Sequence, residues 1–214
     1  MQRHFIYWML PTIAVGAMIA AYFSGIDALR EIVAPRINRE FGLLENLQLV
    51  LIAIIIWGAV HGLRRAQTGP EKALFVVIAV VSVFVFLEEM DYGLHFYEYL
   101  TGNRGPEIRN FHNENHHLSL INKVAGVIIA VFYIALPLLG PYSNNRIIRY
   151  FTPPRLIVVT ALCAFAARSV AHYLEDAGYY PHGPLDGNIA EFREFFTYYM
   201  TMLYVLGLAK VLRQ

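Results

Sequence analysis

Charge is scarce in this chain. Only 15% of its 214 residues are Asp, Glu, Lys or Arg, against about a quarter in a soluble domain. Lys and Arg number 17, Asp and Glu 16, and the net charge is +1. That balance leaves no electrostatic case for nucleic acid as a partner. The single cysteine, Cys163, excludes an internal disulfide and any Cys-x-x-Cys-His haem attachment. Internal repeats and low-complexity tracts are missing too. What abounds is apolar: 57% of residues are hydrophobic and the mean hydropathy is +0.45. These residues gather in runs close to the roughly 20 needed to cross a bilayer.

The runs predict an all-α fold, a polytopic transmembrane helical bundle of six spans in one integral-membrane domain. The spans are roughly Phe5–Gly25, Leu43–Leu63, Ala73–Tyr99, Leu118–Leu139, Arg155–Asp176 and Ile189–Leu212. Arg3 precedes the first, whose apolar stretch is long for a signal peptide, so an uncleaved anchor is expected. Between the first two spans, Ile26, Leu29, Ile32 and Val33 alternate with Asp27, Arg30 and Glu31. That spacing suits a short interfacial helix on the membrane surface, ended at Pro35.

Orientation follows from Lys and Arg. Leaving out Lys123, Arg168 and Arg193, which fall within spans, one side holds both termini with Arg3, Arg64, Arg65, Lys72, Arg146, Arg149, Arg155, Lys210 and Arg213, nine in all; the other holds Arg30, Arg36, Arg39, Arg104 and Arg109, five. The excess predicts cytoplasmic termini in a bacterial-type inner membrane. Six spans also sort the acids. Of the 16 acidic residues only Glu71, and of the 8 histidines only His4 and His61, fall on the cytoplasmic side.

The polar residues therefore converge at the outer ends of the spans. Glu88, Glu89, Asp91 and His95 close the third; Asn122 and Lys123 open the fourth; Arg168, His172 and Glu175 close the fifth; Glu191, Glu194 and Tyr198 open the sixth. Glu88, Asp91 and His95 are spaced as one helical stripe, as are Arg168, His172 and Glu175. Charge facing lipid is costly, so the stripes are expected to face inward.

Three chemistries fit. In the first, carboxylates and imidazoles hold a divalent metal, Zn, Fe or Mn. His112 and His116 are one turn apart, and Glu114 with His117 forms a Glu-x-x-His pair, while His95 and His172 are further candidate ligands. In the second, adjacent acids do acid–base work without metal. Glu88, Glu89, Asp91, Glu175, Glu191 and Glu194 are the candidates, one of a pair being pushed up in pKa while its neighbour stays ionised. Arg168 and Lys123, with Asn122 and Tyr198, would hold an anionic headgroup. In the third, His95 and His172 ligate haem, or the site takes a quinone. Against all three stands a structural account, in which the charges lock the bundle as ion pairs and the histidine-rich loop is simply solvated.

Glu88-Glu89-Met90-Asp91-Tyr92-Gly93 and Asn110-Phe111-His112-Asn113 resemble a pattern in uncharacterised bacterial multi-span membrane proteins, Glu-Glu-x-Ser-Trp-Gly followed by Asn-Leu-His-Asn. The resemblance implies that Glu88, Glu89, Asn110, His112 and Asn113 act as one unit, and implies no activity. His-x-x-x-His-His at positions 112–117 also matches one histidine box of membrane desaturases, but the several boxes of that family are missing. The layout is similar to that of alkaline-ceramidase-type hydrolases, without their late His-x-x-x-His. These readings predict a metal-dependent hydrolase or transferase acting on membrane lipids or a lipid-linked substrate. The rival is an accessory subunit of a larger membrane complex.

Overall fold

In a computed structural model of the chain, residues 2–35, 42–102, 126–179 and 189–211 are described. They form helices and, among the described residues, no strand. In chain order these are α1 (Phe5–Tyr22), α2 (Asp27–Val33), α3 (Leu43–Arg65), α4 (Gly69–Glu89), α5 (Leu94–Thr101), α6 (Gly126–Tyr142), α7 (Arg146–Phe151), α8 (Ile157–Asp176) and α9 (Ile189–Leu208). Four of them, α1, α3, α4 and α8, are long and apolar enough to cross a membrane by length and composition. Helix α6 is apolar but shorter, and the expected start of its span at Leu118 lies outside the described residues. Helix α9 carries Glu191, Arg193 and Glu194 near its start and is not among the four.

The helix boundaries follow from local chemistry. Helix α4 opens with a capping box: the Glu71 amide donates to Thr68 Oγ1 at 3.4 Å, and the Thr68 amide to Glu71 Oε2 at 3.3 Å. Pro70 sits in its first turn, where no amide hydrogen is missed. Helix α7 is capped by Asn145, whose Oδ1 accepts from the Ile147 amide at 2.8 Å. Helix α8 starts after Pro153-Pro154 and stops where Gly178 turns left-handed at φ +87, so that the Tyr179 amide bonds the Leu174 carbonyl at 3.0 Å.

The chain divides into two compact units, one of Met1–Gln48 and Ile128–Tyr204, the other of Leu49–Val127 and Val205–Gln214. In the first unit α9 carries much of the core, with Phe192, Phe196, Met200 and Leu203 almost fully buried. Tyr22 of α1 meets Phe192 edge-on at 6.2 Å between centroids, and the Tyr204 hydroxyl donates to the Phe151 carbonyl at 2.9 Å.

Two proline-linked π turns shape this core. Phe5–Met9 and Val131–Ala135 are each wound in π register and each followed by Leu-Pro, at Leu10-Pro11 and Leu136-Pro137. Pro11 has no amide hydrogen for the carbonyl of Tyr7 in α register or of Ile6 in π register. Those two carbonyls take side-chain hydroxyls instead. Tyr199 of α9 donates to Ile6 at 2.6 Å, and Thr160 of α8 donates to Tyr7. At the second π turn Tyr133 is buried and its hydroxyl lies 2.6 Å from Thr201 Oγ1.

In the second unit α3 and α4 approach closely at Gly62, where any Cβ would overlap the Phe75 ring. Most of the rest of α4 is exposed, apart from Ser82 and Glu88.

The third span departs from expectation. A single helix over 73–99 is not formed. Helix α4 ends at Glu89, and Asp91, Tyr92 and Gly93 follow with φ of 45, 53 and 89. The Gly93 amide closes this turn on the Met90 carbonyl at 2.7 Å, and α5 begins at Leu94. Glu88, Asp91 and His95 are therefore not one helical stripe, because the left-handed turn interrupts the 3.6-residue period. Gly93 adopts that conformation freely, while Asp91 and Tyr92 do so at a cost of about 1–2 kcal/mol each.

Candidate functional site

The densest polar network of the described residues lies in the first unit, on α3, α8 and α9. Gln48, one turn past Glu45 on α3, is fully buried. Its Nε2 donates to both the carboxylate and the backbone carbonyl of Glu191, each at 3.2 Å. On α8, Arg168 Nε donates to His172 Nε2 at 3.4 Å, and His172 Nδ1 lies 3.7 Å from Glu175 Oε2. The first contact fixes the tautomer: Nε2 accepts, so Nδ1 carries the hydrogen and turns it toward Glu175. With Nε2 accepting, the ring is neutral, so the second is a polar contact, not an ion pair and too long for a hydrogen bond. The expected spacing on α8 thus forms, with the imidazole standing between Arg168 and Glu175, but the stripe does not face inward: the Arg168–His172 bond is exposed and the His172 side chain is 47% exposed.

Arg193 of α9 lies between the two parts, within range of charges on α8 and α9. It is 7% exposed, and the charges of Arg168, Glu194 and Glu191 all act on its guanidinium. Glu191 and Glu194 are half-buried, as is Tyr198 one turn further along α9. Two cations, an oriented imidazole and several carboxylates therefore share a small region of three helices. Such a set can hold an anion on the guanidiniums and move a proton through a carboxylate or the imidazole.

Glu88, Glu89 and Asp91 belong to the second unit. Glu88 and Asp91 are buried, Asp91 to 1% exposure, and Glu89 is half-buried. Tyr92, half exposed, folds back across the left-handed turn and donates its hydroxyl to Glu88 Oε1. That bond first, then partial burial and the Glu88 charge, raises the Tyr92 phenol above its ordinary 10.0. Two consecutive non-glycine residues in the left-handed region are uncommon and concentrate at functional sites.

The remaining candidates lie elsewhere. His112, Glu114, His116, His117, Asn122 and Lys123 fall outside the described residues, as do Asn110 and Asn113. His95 falls on α5, and its side chain is not among those described. Among the described residues no three His, Cys, Asp or Glu side chains come close enough to hold a metal ion.

Gln48 and Arg193 were not singled out as functional by sequence. Gln48 is uncharged and sits in a run that reads as membrane filling; its only signal is an amide on the same face as Glu45, one turn away. Arg193 reads as a partner for its neighbours Glu191 and Glu194 rather than as a buried cation within range of Arg168. No family model matches this chain, and neither a curated protein nor a solved structure matches it.

Proposed function

We propose that this protein is an integral membrane enzyme, a hydrolase or transferase acting on a lipid or lipid-linked substrate at the non-cytoplasmic face. Six spans are its topology, α6 and α9 adding to the four long apolar helices, with both termini in the cytoplasm of a bacterial-type cell. The observation that carries the reading is the network of Gln48, Glu191, Arg193, Arg168 and His172 on three helices. Polar groups at the ends of apolar helices are costly unless they are paired or used, and this set offers both an anion-binding part and a proton-transferring part. Arg168 and Arg193 hold the headgroup. Glu191, Glu194 and the His172–Glu175 pair supply acid–base groups, and α2 lies on the membrane surface with Ile26, Leu29 and Ile32 turned outward.

The histidine-rich segment around His112 and His116, with Glu114, His117 and Glu88, provides the metal ligands, for Zn, Fe or Mn. Elemental analysis of the purified protein tests this part. Bound metal in the wild type, lost in His112→Ala and in Glu88→Gln, supports it. A metal-free protein whose His112→Ala and Glu88→Gln variants fold and act normally contradicts it.

A subunit role in a larger membrane complex is the second reading. It fits α4, whose Val76, Val77, Val80, Val81 and Phe84 are exposed and would meet either lipid or a partner helix. Stable purification of an active chain alone counts against it, and obligate co-purification with other subunits counts for it.

A further inference from the structure

Acid is missing from one long stretch of the chain. Between Glu114 and Glu175 no Asp or Glu occurs, and within that stretch lie Arg146, Arg149 and Arg155. All three are exposed, and among the described residues none of them is in an ion pair. They sit where α6 passes into α7 and α7 into α8. At about 100° per residue, α7 divides into two sides: Arg146, Arg149 and Tyr150 on one, Ile147, Ile148 and Phe151 on the other. Ile147 is 55% and Ile148 40% exposed, so the apolar side is not used up by packing within the chain.

This corner is held in place. A six-residue helix does not persist by itself, and three contacts fix this one. The Asn145 side chain caps it. The hydroxyl of buried Tyr204 donates to the carbonyl of Phe151, its last residue, at 2.9 Å. Gly140, near the end of α6, lies so close to Thr152 that any Cβ would overlap the threonine hydroxyl. Two residues on, the Tyr142 ring carries the Arg155 guanidinium 5.2 Å from its centroid. Three like charges are thus gathered on one corner of the first unit with no acid beside them, and like charges repel until anions reach them.

We propose that this corner is a docking surface for anionic phospholipid. The phosphates of the adjoining leaflet meet Arg146, Arg149 and Arg155, while Ile147, Ile148 and the end of α6 enter the acyl region. Charge selects the lipid: a headgroup with net negative charge neutralises the arginines, and a zwitterionic one brings a cation along with its phosphate. The guanidinium suits phosphate, as a planar set of donors on a stem that lies along apolar surface. Continuity selects a membrane over an acidic protein. Leu138 and Leu139 are 46% and 69% exposed and carry the apolar surface of α6 up to the turn that leads into α7. The proposal rests on the membrane part of the reading above and not on its enzyme part.

The test uses the full chain reconstituted into phosphatidylcholine vesicles. These carry a small fraction of phosphatidylglycerol or phosphatidylcholine with a photoactivatable group near the top of one acyl chain. After irradiation, peptide mass spectrometry reads the label on residues 138–155. One basic side chain at an anionic surface is worth about fivefold, so phosphatidylglycerol should label this segment about tenfold or more over phosphatidylcholine. Arg146→Gln with Arg149→Gln should lower that ratio about fivefold or more. Arg64→Gln with Arg65→Gln removes the same charge at the end of α3 and should leave the ratio unchanged. Equal labelling by the two lipids in the wild type overturns the proposal without recourse to any variant. An equal fall in both double variants would make the preference a matter of net charge and overturns it too, as does an unchanged ratio in the Arg146 and Arg149 variant. Label on α4 with none on residues 138–155 gives the corner to water or a protein and defeats the proposal while the membrane reading stands. Label on neither segment defeats both.

Discussion

The side-chain amide of Gln48 reaches the Glu191 carboxylate at 3.2 Å, across 143 residues of chain. Gln48 is fully buried, so its amide is away from water, while the carboxylate it meets is half-buried. Hydrogen bonds to charged groups contribute about 1.5–3 kcal/mol. Gln48→Leu is expected to lose stability in that range in SDS-induced unfolding from mixed micelles. Gln48→Leu combined with Glu191→Leu should recover part of the loss, because the stranded carboxylate is removed. A double variant that is worse by the sum of the two singles would show that the residues do not interact.

The bond from Tyr199 to the Ile6 carbonyl, 2.6 Å long, exists because Pro11 cannot supply an amide hydrogen. Tyr199→Phe should therefore cost about 0.5–1.5 kcal/mol, the net worth of a neutral hydrogen bond. Pro11→Ala restores the amide, and in that background Tyr199→Phe should cost measurably less. Equal costs in both backgrounds would separate the proline from the hydroxyl.

Much of this architecture was legible in the sequence, and the exceptions have physical causes. Apolar runs marked α1, α3, α4 and α8 because hydropathy over twenty residues is a summed signal that single polar residues do not erase. The 168–172–175 stripe was legible because α8 is uninterrupted there. The break after Glu89 was not, since no proline announces it; Gly93 was the one cue, and Asp91 and Tyr92 take the left-handed region against their own preference. The π turns were hidden as well. Their cue is a Tyr-x-x-x-Pro spacing shared by Tyr7-Pro11 and Tyr133-Pro137, and proline within an apolar run reads first as a kink. Gln48 escaped notice because sequence reasoning in apolar segments looks for charge.

Gly62 is required by packing. Any Cβ there would overlap the Phe75 ring, and an overpacked contact typically costs about 1–3 kcal/mol. Gly62→Ala should lower the thermal midpoint of the purified protein. Adding Phe75→Leu, which withdraws the ring, should restore part of it. No rescue would mean that the loss does not come from overlap with the Phe75 ring.

The Tyr92–Glu88 bond sets a pH dependence. The bond and the Glu88 charge both favour the protonated phenol, so its pKa in the folded state stands above the unfolded value of about 10. The sign follows: stability from this bond is fully present below the unfolded value and is lost as pH rises through the folded one. Comparing the phenolate absorbance titration of the wild type with that of Tyr92→Phe isolates this group. It should ionise later than an exposed tyrosine, and Glu88→Gln should move it back toward 10. An unshifted titration would place the hydroxyl away from Glu88.

The central claim is that the α3, α8 and α9 network performs chemistry on a lipid. The most direct measurement is turnover by the purified chain reconstituted into vesicles of phosphatidylethanolamine and phosphatidylglycerol, with lipid products read by mass spectrometry. The account predicts a headgroup-cleaved or headgroup-transferred product from the wild type, strongly reduced in Glu191→Gln and in His172→Ala while both variants remain folded. Product formation at the wild-type rate by both folded variants would contradict it.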